Sequence, residues 1–242
     1  MSSTVVFDAH VHVDKGLDGY DLEVSGKNLI FNDVDSYRRS CELYRTASDA
    51  VSLILDLGPD RDFVLGEARA GRIDAVKIHS RIQRIGASEW PTVARVLAEV
   101  PPDIPAIVDG FYFGGDMEHQ PSLAALIDLL AAFPQRRFVV AHSGGYRILE
   151  YFFHLRPFAN VYYELALSLQ YLEDSSASAD VRKLVRHTDT AKILFGSDYP
   201  FGSPARQRDI LEGVCAEVGL SDGEAERLFY RNAAELFKKD VR

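Results

Sequence analysis

The chain has 242 residues, 47% of them hydrophobic, and a formal net charge of −9. That length allows one large α/β domain or two small ones, and the acidic balance speaks against a nucleic-acid binder. Two cysteines far apart, Cys41 and Cys215, make neither a disulfide framework nor a cysteine metal knuckle.

No export-type leader and no apolar run of membrane-spanning length is evident, so a soluble cytoplasmic protein is expected. Its partner is then a small-molecule substrate, with no nucleic acid and no membrane, and a homodimer is left open.

The first element is the apolar run Thr4-Val5-Val6-Phe7, a buried strand by its β-branched and aromatic content. Asp8-Ala9-His10-Val11-His12 follows. Residues two apart in an extended chain project to the same side, so His10 and His12 can present two imidazoles to one point. Such a pair is half of a metal site, or simply two polar residues leaving a strand. Around Ser25–Asn28 there is a weak hairpin signal. A helix is expected over 33–48 and a strand over Ala50–Leu57, closed by Gly58-Pro59. Helices over 61–70, 88–100, 121–133, 146–154 and 178–186 then alternate with strands over 74–79, 105–109, 137–142, 160–164 and 191–198. The remainder is helical, with Ser221-Asp222-Gly223-Glu224 a capping box.

Strands alternating with helices, without a break in composition, describe one parallel α/β domain spanning 1–242. Polar residues recur at the C-terminal ends of the strands: His10, His12, Lys77, His79, Asp109, His142, Glu164 and Asp198. A (β/α) TIM-like barrel builds its active site there. A doubly wound sheet needs a Gly-rich first turn, and none follows the first strand.

The ordered set His10-Val11-His12, Val76-Lys77-Ile78-His79, Val140-Ala141-His142-Ser143-Gly144-Gly145 and Leu194-Phe195-Gly196-Ser197-Asp198-Tyr199-Pro200 resembles the metal-dependent amidohydrolase superfamily, in its branch of small barrels. Tyr230–Phe237 is similar to the closing helix of that family. The resemblance implies a metal-dependent enzyme: a hydrolase of a lactone, amide or ester, a decarboxylase of a small carboxylate on the same site, or a barrel kept as a binding module. It implies one divalent ion, zinc with manganese as the alternative, held by His10, His12 and Asp198. Asp198 would also take a proton from the attacking water. His142 would be a base, a ligand to a second ion, or an electrophile.

Two departures matter. Asp109 stands where the family places a ligating histidine, so it is either a fourth ligand or an ion-pair partner of Lys77 or a loop arginine. Seven strands are clear where the family has eight, so either the segment around 22–31 supplies the other or the barrel is distorted. For substrate binding, Lys77 and Arg81 offer positive charge, His79 a strand-end imidazole, and Tyr112, with Phe111 and Phe113, an apolar wall. Plainer uses exist: Asp198 as a helix N-cap, His142 packed under the Gly-Gly turn.

Overall fold

The computed structural model describes residues 5–13 and 16–240, and Thr4 of the first expected strand lies outside them. Eight parallel strands are found among the described residues: β1 (Phe7–His12), β2 (Gly26–Phe31), β3 (Ala50–Ile54), β4 (Ala75–Ile78), β5 (Ala106–Asp109), β6 (Phe138–Ala141), β7 (Val161–Glu164) and β8 (Ile193–Leu194). They pair in sequence order. Backbone bonds close the ring from β1 to the segment after β8. Ala9 N donates to Phe195 O at 3.0 Å, Asp198 N to His10 O at 2.9 Å, and His12 N to Tyr199 O at 2.8 Å. This is a (β/α)8 barrel.

The segment 22–31 supplies the eighth strand. The hairpin expected there does not form, because residues 26–31 pair parallel to β1 on one side and β3 on the other. That strand is polar at its start, Gly26-Lys27-Asn28, and Asn28 is buried inside the barrel. There it donates to Ala9 O and accepts from Ser52 Oγ. A buried strand that satisfies polar side chains internally carries a weak hydrophobic signal. The last strand is shorter than its apolar run: residues 190–192 form a 3-10 turn before it, and past Leu194 the Phe195 N–H goes to Leu228 O at 3.1 Å.

Between the strands run α1 (Val34–Tyr44), α2 (Arg61–Arg69), α3 (Ser80–Gln83), α4 (Trp90–Leu97), α5 (Leu123–Ala132), α6 (Ile148–Leu155), α7 (Ser168–Tyr171), α8 (Ala177–His187) and α9 (Pro204–Val218). Side-chain caps start several of them: Asp33 accepts from Ser36 N, and Ser122 from Ala125 N. The expected capping box is present at Ser221 and Glu224, opening α10 (Asp222–Glu226). A π-helical turn leads on to α11 (Asn232–Leu236).

Alternation along each strand sorts its residues. In β4, Val76 and Ile78 join the outer core under the helices, while Ala75 joins an inner cluster. That cluster holds Phe7, Ala9, Ala50, Ile107, Val139 and Leu194 against Tyr230, Ala233, Leu236 and Phe237. The C-terminal helix therefore plugs the floor of the barrel. Two residues further along the same inner faces lie Ser52, Lys77, Asp109 and Glu164, all buried. Chain direction is common to all eight strands, so the polar layer forms at one end, the C-terminal mouth.

Candidate metal centre at the barrel mouth

His10 and His12 leave β1 side by side, with ring centroids 5.1 Å apart. His142 comes off β6, 4.9 Å from His10. Asp198 arrives from the segment after β8, its Oδ1 3.2 Å from Nε2 of both His10 and His12. His142 and Asp198 both sit in left-handed backbone, at φ 61° and 60°. Non-glycine residues adopt it rarely, at about 1–3 kcal/mol each, and such strain gathers at functional positions. His10, His142 and Asp198 form a donor group whose ligand atoms all lie within 4.8 Å of one another.

The neighbours of these side chains set their protonation. Burial, and then the charges of Lys77 and His142, hold the His10 imidazole well below its ordinary range, so it is neutral. Lys77 Nζ lies 3.1 Å from His10 Nε2. An ammonium has no lone pair, so Nε2 must offer one and the ring proton sits on Nδ1. That Nδ1–H donates to Glu164 Oε2 at 3.0 Å. Burial pushes Glu164 well above the usual carboxylate range, and the N–H groups of Ala166 and His142 pull it back. With donors on both oxygens, Glu164 acts as acceptor toward His10.

His142 is oriented in the same way: Nδ1–H donates to Ala166 O at 3.0 Å, which turns Nε2 into the cavity. Burial raises Asp198, but the charge of His142, a hydrogen bond from His12 and the charge of Lys77 outweigh it and hold the carboxylate below its ordinary range.

Asp109 turns toward a different set of groups. Its Oδ2 is 3.5 Å from Arg81 Nη2 and 3.8 Å from His79 Nδ1, and its Oδ1 is 3.5 Å from His142 Nε2. Burial raises it, and the fields of His79, His142, Arg81 and Lys77 bring it below the usual range. It stands outside the donor group of three, where His142 takes the third place. Burial lowers the His79 imidazole to about 4, against the pull of Asp109. His79 Nδ1 accepts from Ile82 N at 3.4 Å, at the start of α3.

Two observations test whether this site suits a cation. The His10 Nε2 lone pair faces Asp198 Oδ1 across 3.2 Å. His142 Nε2 faces Asp109 Oδ1 across 3.5 Å, and that buried oxygen has no hydrogen-bond partner among the described residues. Lys77 already supplies one positive charge beside His10 Nε2, and the two buried carboxylates, Asp109 and Asp198, converging with imidazole nitrogens leave a place for a further cation. Imidazole nitrogens and carboxylate oxygens in this mixture suit a divalent transition ion.

The donor atoms line a cavity of about 490 Å³. Lys77, His79 and Arg81 also line it, and Ile82, Phe111, Phe113, Leu167, Tyr171 and Phe201 form its apolar wall. Tyr112, expected in that wall, is absent from it: its hydroxyl lies 3.2 Å from that of Tyr151, and the Arg147 guanidinium covers its ring. The two phenylalanines flanking Tyr112 alternate to the cavity side. Sequence reasoning gave no role to Asn32, Leu167, Tyr171 or Phe201. Glu164 was visible at a strand end, without a task.

Gly196 and Gly144 explain two of the motifs. A Cβ on Gly196 would overlap Glu164 Oε1, so the small residue seats the carboxylate that orients His10. Gly144 has φ +92°, and a Cβ there would run into the Tyr151 ring.

Residues 52–239 match the amidohydrolase family model. The chain belongs to the amidohydrolase family. No curated protein sequence matches it. Among solved structures, it is similar to the inactive dihydroorotase-like domain of a Chaetomium thermophilum CAD-like multifunctional protein, with TM-score 0.69 and 13% identity, over 98% of this chain and 80% of that one. A probable 2-pyrone-4,6-dicarboxylic acid hydrolase from Acinetobacter baumannii aligns with TM-score 0.64 and 12% identity, over 96% and 99%. The 5-carboxyvanillate decarboxylase of Sphingomonas paucimobilis aligns with TM-score 0.59 and 10% identity, over 98% and 100%. At these identities the likenesses speak to the barrel fold. No helix among the described residues is long and apolar enough to cross a membrane.

Proposed function

We propose that the protein is a metal-dependent hydrolase of a small carbonyl compound: a lactone, amide or ester. The observation that carries this reading is the convergence of His10, His142 and Asp198 at the barrel mouth, with both imidazoles holding their protons on Nδ1. A divalent ion, when bound, supplies Lewis acidity at the carbonyl and makes water more acidic. His10, His142 and Asp198 would hold it, with His12 as a fourth donor. Zinc suits this set, and the carboxylate lets manganese compete.

The chain's own residues do the rest. Asp198, kept ionised, takes the proton of the attacking water and returns it to the leaving oxygen or nitrogen as the acyl bond breaks. The apolar wall excludes solvent and holds the substrate body. Arg81 lines the cavity, and its guanidinium, 3.5 Å from Asp109 Oδ2 through Nη2, offers positive charge to a substrate carboxylate. Asp109 keeps Arg81 aligned. Lys77 adds positive charge beside His10.

A cation on the cavity wall also favours a second reading: decarboxylation of a small aromatic or unsaturated carboxylate at the same centre. The decarboxylase of similar fold is in keeping with it. A reducing, cytoplasmic setting fits Cys41 and Cys215, both free and buried, with burial pushing their thiols up to about 11 and about 12.

Elemental analysis tests the reading. The purified protein is expected to carry about one divalent ion per chain, His10→Ala to lose it, and a chelator to abolish turnover. A screen of lactones, amides and aryl carboxylates separates hydrolysis from decarboxylation by the product released. Full metal loading of His10→Ala would sink the proposal. Metal binding without turnover of any of these substrates would leave a binding module.

A further inference from the structure

The three histidines at the mouth do not share one state. His10 and His142 each spend Nδ1–H on an oxygen, Glu164 Oε2 at 3.0 Å and Ala166 O at 3.0 Å, and so aim Nε2 at the centre. His12 differs. Its Nδ1 lies 3.0 Å from Asn32 Nδ2, an amide nitrogen that can only donate. Nδ1 of His12 must therefore accept, so its proton is on Nε2. That Nε2–H points at Asp198 Oδ1, 3.2 Å away. In this state His12 is a hydrogen-bond donor to a ligand and has no lone pair for a metal. His12 also stands outside the close donor group of His10, His142 and Asp198. The other end of the same amide, Asn32 Oδ1, is buried without a hydrogen-bond partner among the described residues.

We infer that the Asn32 side chain sets the tautomer of His12, and that a half-turn of its amide recruits His12 to the metal. The turn brings Oδ1 to where Nδ2 stands. Oδ1 then accepts Nδ1–H, and the Nε2 lone pair faces the centre as that of His10 does. Protons balance: His12 stays neutral, its ring proton passing from Nε2 to Nδ1 by exchange with water. An otherwise unpaired carbonyl oxygen gains a donor, and Asp198 loses one just as a cation arrives to compensate it. Asn32 is thus a positioning residue, acting through His12. It stands one residue beyond the end of β2, on the cavity wall. Hydrogen-bond partners of metal-bound histidines commonly change affinity by about 10–100-fold.

The inference rests on the metal-site reading, and the test separates the two. Asn32→Leu keeps the bulk and removes both amide atoms, while Asn32→Asp keeps an acceptor on either oxygen. Zinc affinity is measured by chelator competition on the full-length protein. The expected results are a loss of about tenfold or more in Asn32→Leu, unchanged or tighter binding in Asn32→Asp, and no further loss when Asn32→Leu is added to His12→Ala. In the ¹⁵N-histidine spectrum, the His12 proton is expected on Nε2 without zinc and on Nδ1 with it. Three results would overturn the role of Asn32: a loaded His12 still protonated at Nε2, an Asn32→Leu protein of wild-type affinity, or a loss that persists without His12. Full zinc binding by His10→Ala would instead break the metal centre itself.

Discussion

The two ends of the barrel lumen are built on opposite rules. At the floor, Phe7, Ala9, Ile107, Val139 and Leu194 meet the closing helix through apolar contact alone, and Phe7 stacks on Phe237 with ring centroids 6.0 Å apart. About six to seven ångströms further up the same strands, a distance of about two residues, the lumen fills with the buried ionisable groups Lys77, Asp109 and Glu164, joined by Asp198 from the segment after β8. Two of the mouth residues hold left-handed backbone, and buried imidazole nitrogens and carboxylate oxygens crowd together there. The floor satisfies itself. The mouth is left electrostatically incomplete, which a folding optimum would not favour and a binding site needs.

Three substitutions sharpen that contrast. Asp198→Asn keeps shape and an oxygen but cannot accept a proton. Turnover should fall by about 10²–10⁴-fold, the usual worth of a positioned acid or base, while unfolding stays cooperative. Unchanged turnover would return Asp198 to a capping role.

Phe7→Ala should do the reverse. Removing a fully buried ring costs about 3–5 kcal/mol of stability, read from denaturant unfolding, while the metal content of the folded fraction stays the same. Loss of metal without loss of stability would erase the distinction between the two ends.

His79→Gln probes the boundary between the layers through pH. Unfolded, His79 titrates near 6.5; folded, burial lowers it to about 4. Below pH 6.5 the unfolded chain takes up a proton that the folded chain refuses. The stability due to neutral His79 is therefore complete above pH 6.5 and is lost as pH falls toward 4, by up to about 3 kcal/mol. His79→Gln should flatten unfolding free energy across that window by this amount. An identical acid slope in the variant would mean that His79 is solvated in the folded state.

Much of this arrangement is legible along the chain. The spacing of His10 and His12, the polar residues closing each apolar run, and Phe-Gly-Ser-Asp near the C-terminus identify strand ends and one face. The capping box at Ser221 and Glu224 is local chemistry and forms as expected. Other features resist. Residues 26–31 are a strand whose Asn28 finds Ala9 O and Ser52 Oγ on the two neighbouring strands, partners that no local pattern reveals. Tyr112 sits between two cavity-lining phenylalanines, and strand-like alternation turned it to Tyr151 instead.

By itself the sequence determined the repeat of strand and helix, because hydrophobic period, caps and turn residues act over a few positions. It also determined which residues stand at the C-terminal strand ends, since chain direction and period-2 alternation fix that. Tertiary structure decided the rest: that Asp109 meets Arg81 and His79, that His142 joins His10 and Asp198, and that Glu164 and Asn32 hold opposite tautomers of His10 and His12. Those outcomes turn on ångström-scale distances between residues up to 188 positions apart in the chain, His10 and Asp198 being the widest pair. Barrel closure sets such distances, and a proton follows whichever acceptor lies nearest.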